Sequence, residues 1–206
     1  MSTRGAFGFR LNGVDRVTYN HSDSYPTGLG VDIAKLISTL LAMPDLEEKV
    51  AALKMVESSA MPTAEQKETL AAYTRASSAP PEIVGHTGVG GALEQGSWYQ
   101  VLRETQGDLM KTLECGYMID SHDFLADSLF CEWAYIINLD DGTLEVYEGL
   151  QKNLHTKGRY GAAGAERIAG ETLAKVDAPV YNPPVALIAT FPLKEVTEKK
   201  VASLGK

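Results

Sequence analysis

The sequence predicts an α+β fold, with two β-hairpins and a C-terminal strand forming a mainly antiparallel sheet packed against about four helices. Three observations carry this expectation. Two segments alternate apolar and polar residues around Asn12-Gly13 and Asp141-Gly142, dipeptides favoured in tight hairpin turns. Between them, apolar residues recur at helical spacing in several stretches. Residues 185–191, Val-Ala-Leu-Ile-Ala-Thr-Phe, form a near-continuous apolar run of strand length.

In the first hairpin, Phe7, Phe9 and Leu11 alternate on the outgoing strand, and Val17 and Tyr19 share one face of the return strand. A two-residue Asn12-Gly13 turn would pair Phe9 with Arg16 and put these sets on opposite faces. A longer loop would put them together. One-sided burial favours the longer loop, whereas a sheet covered on both faces allows the short one.

The first helix carries Leu29, Ile33, Leu36, Ile37, Leu40 and Leu41 on one face, and Pro44 ends it. Asp45 with Glu48, Thr63 with Gln66, and Ser97 with Gln100 have capping-box spacing and start three further helices. The second helix buries Leu46, Val50 and Leu53; the third is more polar and runs to about Ala76. The fourth buries Trp98, Val101, Leu102, Leu109 and Leu113, and stops at Gly116. Residues 76–96, rich in Ser, Pro and Gly, read as a long loop.

In the second hairpin, Trp133, Tyr135, Ile137 and Leu139 alternate, and a two-residue turn at Asp141-Gly142 would pair Leu139 with Leu144 and Ile137 with Val146. Residues 151–170 are basic and Gly/Ala-rich at first, then weakly helical around 165–175. The apolar run at 185–191 reads as a central strand. The segments either side of the long loop are too small to fold separately, so residues 1–206 are expected to form a single α+β domain.

Composition bounds the function. Hydrophobic residues make up 44% and charged residues 22% of the 206, as in ordinary globular proteins. The net charge of −8 argues against nonspecific nucleic-acid binding, which needs a basic footprint. The helical stretch at 31–43 is too short and too polar to span a bilayer, and no export signal is evident, so the protein is expected in the cytoplasm. Cys115 and Cys131, the two cysteines, are then expected reduced and buried.

The polar segment from Asn20 to Gly30, joining a strand to a buried helix, is the leading candidate site. His21 has the chemistry of a general base and Asp23 of its orienting partner, with Ser22 or Ser24 as nucleophile. Asn20, Ser24, Tyr25, Gly28 and Gly30 are candidate ligand contacts. A hydrogen-bonded turn with no chemistry explains the same residues. Gly28-Leu29-Gly30 resembles half of a phosphate-binding turn, but Ile33 breaks the dinucleotide fingerprint and no P-loop lysine follows. Asp120, His122 and Asp123 have metal-ligand chemistry without diagnostic spacing, and no metal or other cofactor is expected. Lys152, His155, Lys157 and Arg159, with Tyr160, form a basic cluster that reads as a mobile solvated loop or a phosphate contact.

Residues 2–8, Ser-Thr-Arg-Gly-Ala-Phe-Gly, and residues 18–30, Thr-Tyr-Asn-His-Ser-Asp-Ser-Tyr-Pro-Thr-Gly-Leu-Gly, resemble a family of uncharacterised bacteriophage and bacterial proteins. Residues 132–135, the strands up to Tyr147, and residues 184–193 are similar to its later strands. The resemblance implies a phage or prophage accessory protein in the bacterial cytoplasm and brings no activity. The expected function is binding of a host protein or small-molecule ligand, with no membrane or nucleic-acid partner; homo-oligomerisation is left open. The alternative is an amide hydrolase of the N-terminal nucleophile type. There Ser2, exposed by removal of Met1, would attack with its own amine as base, and His21 and Asp23 would stand nearby.

Overall fold

The computed structural model describes residues 3–73, 96–162 and 183–205. The fold is α+β. Its main sheet has five strands in the order β2-β1-β5-β6-β7. The strands are β1 (Gly5–Leu11), β2 (Val14–Asn20), β5 (Trp133–Asn138), β6 (Thr143–Glu148) and β7 (Ala186–Pro192). Three of the four pairings are antiparallel; the exception joins the two hairpins, because β1 runs parallel to β5 with Gly5 opposite Trp133 and Phe9 opposite Ile137. A second, two-stranded parallel sheet pairs β3 (Lys54–Val56) with β4 (Tyr117–Ile119).

Both faces of the main sheet are covered. On one face Phe7, Phe9, Leu11, Tyr135, Ile137, Leu144 and Val146 pack with apolar residues of α1 (Val31–Leu41), α2 (Leu46–Ala52), α5 (Leu109–Cys115) and a C-terminal helix (Glu198–Ala202). On the other, Ala6, Val17, Ala134, Ile136 and Tyr147 meet Leu125, Cys131, Tyr160 and Val185. This double burial selects the short first turn. Leu11 pairs with Val14 and Phe9 with Arg16, so Phe9 and Val17 face opposite cores. Asn12 and Gly13 both have positive φ, 55° and 75°, as the tight hairpin turn demands.

The second hairpin keeps its expected faces but not its register. Asn138 pairs with Thr143 and Ile137 with Leu144, leaving a four-residue loop from Leu139 to Gly142. The Asn138 side chain explains the shift. Its carbonyl oxygen accepts the Asp141 N–H at 3.1 Å and its amide donates to the Asp141 carboxylate at 2.9 Å, so the outgoing strand ends two residues earlier while Thr143 still opens the return strand. Asp140 is freed to accept the N–H groups of Asn12 and Gly13 at 2.6 and 2.9 Å, which hold its carboxyl below the usual range. Only the Gly142 end of this turn has positive φ, 64°.

Other expectations are corrected. Among the described residues the run at 185–191 is an edge strand, β7, with Ile188, Thr190 and Pro192 exposed; its proline is tolerated where no further described strand needs the missing N–H. The helix expected from Ser97 to Gly116 is broken into α4 (Trp98–Val101) and α5. Gly107 turns left-handed at φ 77°, and Asp108 starts α5 by accepting the Lys111 N–H. Of the three capping boxes, only Thr63–Gln66 forms, at the start of α3 (Ala64–Thr69). Asp45 instead pairs with Lys49, and Gln100 accepts the Gly96 N–H. The third helix ends at Thr69, followed by a tight turn over Ala71–Tyr73. The long loop at 76–96 apart from Gly96, and the weak helix at 165–175, lie outside the described residues.

Among the described residues no helix is long and apolar enough to cross a membrane. Cys115 and Cys131 are free and buried, and burial pushes both thiols above their ordinary pKa. Native protein is therefore expected to react slowly with a thiol reagent, and unfolded protein to release two thiols without reductant. Rapid reaction of the native protein would contradict this packing.

Candidate functional site

The segment between β2 and α1 has a rigid backbone and an exposed rim. Asn20, paired with Gly5 in the hairpin, turns its side chain inward, where the amide donates to the Ser22 carbonyl at 2.6 Å and the Ser24 hydroxyl at 2.8 Å. Ser24 is wholly buried; its N–H donates to the Thr3 carbonyl at 3.1 Å and its own carbonyl accepts the Tyr135 hydroxyl at 2.9 Å. The Leu29 N–H reaches back to the Asp23 carbonyl at 2.9 Å, and the Gly28 N–H to that of Tyr25 at 2.9 Å. These bonds hold Asp23 at φ 55°, a left-handed conformation that aspartate tolerates better than most residues. His21, Ser22, Asp23 and Tyr25 stay exposed.

The two glycines serve packing. A Cβ at Gly28 would lie 2.3 Å from the Asp23 carbonyl oxygen, and one at Gly30 would lie 2.8 Å from Val201 and 2.9 Å from the Tyr135 ring. Asn20 and Ser24 are likewise the buried frame of the loop. Ser2 lies outside the described residues. Asp120 accepts the His122 N–H at 3.1 Å, and His122 sets its ring edge-on to Tyr160. Among the described residues no three His, Cys, Asp or Glu side chains converge as metal ligands, so Asp120, His122 and Asp123 do not join His21 and Asp23.

The structure adds Arg4 and Tyr19 to the loop. With Gly5 opposite Asn20 and Ala6 opposite Tyr19, the hairpin register places Arg4 beside His21, one step past the last pair. The Tyr19 hydroxyl is 3.0 Å from His21 Nδ1, and its ring packs edge-on against Phe124 at 5.2 Å. Burial pushes the Tyr19 phenol up to about 12, helped by the nearby Tyr99 phenol and opposed by the Arg4 charge. The Arg4 guanidinium lies 5.1 Å over the exposed Phe130 ring and, among the described residues, has no carboxylate partner. The sequence signal was the strand alternation of Arg4, Ala6, Tyr19 and Val17, readable only once the register is known.

Arg159, in the basic cluster, is partly buried and fully engaged. Its guanidinium grips both Asp15 carboxylate oxygens at 2.7 and 2.9 Å, bonds Glu145, and donates to the hydroxyls of Tyr147 and Tyr160 at 3.2 and 3.1 Å. Burial opposes its charge, but the bonds to these partners prevail and move its pKa above the ordinary arginine value. Burial pushes both phenols up. His155 bonds the Pro184 carbonyl at 2.9 Å. Arg159 and His155 thus fasten this segment to the sheet, while Lys152 and Lys157 stay exposed.

Comparison with family models, with curated proteins and with solved structures finds no match to this chain.

Proposed function

We propose that this chain is a phage- or prophage-type accessory protein of the bacterial cytoplasm that binds a host protein or small ligand through the rim of the segment from Asn20 to Gly30. One observation carries the reading: the loop backbone is fixed by buried bonds of Asn20, Ser24 and Tyr135, while His21, Asp23 and Tyr25 project outward. A rigid loop presenting unburied polar groups loses little entropy when it engages a ligand. The provenance rests on the sequence resemblance alone.

The test compares wild type with a His21→Ala, Asp23→Asn double variant, asparagine being chosen because it tolerates positive φ. Capture from bacterial lysate is expected to lose its specific partner, while Tm moves by no more than a few degrees, the span of about 1 kcal/mol. An unchanged set of captured proteins would refute the reading.

A second reading, amide hydrolysis by an N-terminal nucleophile, is favoured by the bond from the Ser24 N–H to the Thr3 carbonyl, which brings the entry into β1 alongside the loop. Intact mass decides its first requirement. Loss of Met1, with amidase activity that Ser2→Ala abolishes, supports it; retention of Met1 removes it.

A further inference from the structure

The turn of the first hairpin carries a reactive peptide bond. Asn12 alone among the asparagines of this chain precedes a glycine. Asparagine is thermolabile, and its side-chain amide is attacked most readily by a following backbone nitrogen that no side chain shields, as glycine provides. In that step the Gly13 nitrogen bonds the Asn12 side-chain carbonyl carbon and gives up its hydrogen, and the side-chain nitrogen leaves with a proton as ammonia. Water then opens the cyclic imide at either carbonyl, leaving aspartate or its β-linked isomer, isoaspartate. Asn12 and Gly13 are both exposed, so water reaches them. Two features of the fold oppose the first step. Positive φ at both residues and the flanking Leu11–Val14 pair define a turn in which ψ of the first residue is about 30°, and ring closure requires a large rotation away from that angle. Asp140, from the loop of the second hairpin, accepts the N–H groups of Asn12 at 2.6 Å and Gly13 at 2.9 Å. Its negative charge disfavours a second anion at the Gly13 nitrogen, the form that attacks.

We propose that Asn12 is a conditional deamidation site, held closed by the Asp140 carboxylate for as long as the two hairpins stay docked. Release of the loop from Leu139 to Gly142 frees the Gly13 nitrogen and the rotation at Asn12 together. The product then opposes return. Aspartate at position 12 sets a second carboxylate beside Asp140, where like charges repel. Isoaspartate routes the main chain through the side-chain carbon and lengthens a turn that has no slack. A transient opening is thereby recorded as a permanent chemical change.

The test follows amide-to-acid conversion in the full-length protein at one mildly alkaline pH, by intact mass and peptide mapping, with isoaspartate counted enzymatically. In guanidinium chloride, wild type is expected to deamidate at Asn12 before any other asparagine. Folded wild type should react at least about tenfold more slowly, because the step waits on local opening. Asp140→Ala removes an exposed side chain and should speed the native reaction about tenfold, the change expected from losing a charge-assisted hydrogen bond. Asp140→Asn keeps an acceptor without the charge and should fall between; it carries the test if Asp140→Ala does not fold. Val201→Ala controls for stability alone. It thins the buried core beside Gly30 and leaves the bonds of the turn in place, so it should melt lower yet deamidate at the wild-type rate. Equal rates in folded and unfolded wild type, Asp140 variants no faster than wild type, or a Val201→Ala rate matching Asp140→Ala would each overturn the inference.

Discussion

Replacing Arg159 with methionine is expected to destabilise the protein by about 2–4 kcal/mol, somewhat below the cost of breaking a fully buried ion pair because the side chain is 25% exposed. The loss comes from what remains. Asp15 and Glu145, each 9% exposed, would keep their charges under the sheet cover without the guanidinium that satisfies them. Asp15 would retain Arg10 at 3.1 Å, and Glu145 would retain Asn138 and Tyr147 at 2.8 Å each, so the network would be wounded rather than erased. Adding Asp15→Asn and Glu145→Gln removes both stranded charges and should recover at least half of the deficit. Denaturant midpoints of wild type, single and triple variants check this. A single variant within about 0.5 kcal/mol of wild type would mean that water already solvates these carboxylates.

Gly8→Ala is expected to cost about 2–4 kcal/mol, at or above the usual range for overpacking. A Cβ at Gly8 would sit 2.0 Å from the Arg16 carbonyl oxygen and 2.9 Å from the Val17 Cα, so it meets backbone rather than a side chain that can rotate away. Neither strand is free to retreat. β1 is held between β2 and β5, and β2 is tied by the bond from the Ser121 N–H to the Val17 carbonyl at 2.9 Å. Chemical denaturation reads the change directly, and a near-wild-type midpoint would show that the hairpin can open at this point without loss.

The local elements were legible in the sequence because their causes are local. Asn12-Gly13 made a hairpin turn, Ile33, Ile37 and Leu40 made a buried helix face, and the alternation from Trp133 to Ile137 made a strand whose two faces were correctly separated. The polar character of the segment from Asn20 to Gly30 was equally plain. What the sequence could not decide depended on partners far along the chain. The register of the first hairpin turned on whether both faces of the sheet are covered, and that cover comes from residues more than a hundred positions away, such as Leu125 and Tyr160. The second turn was lengthened by a side chain, Asn138, whose bonds to Asp141 compete with the backbone preference of Asp-Gly. β7 reads like a central strand because apolar content does not reveal whether a neighbour pairs on its outer side. Within the candidate site, sequence named the loop but could not sort it. Only the contacts with Thr3 and Tyr135 make Asn20 and Ser24 its frame, and only the strand register sets Arg4 beside His21. Arg159 followed the same logic: charge is written in sequence, but burial and pairing are properties of the packed chain.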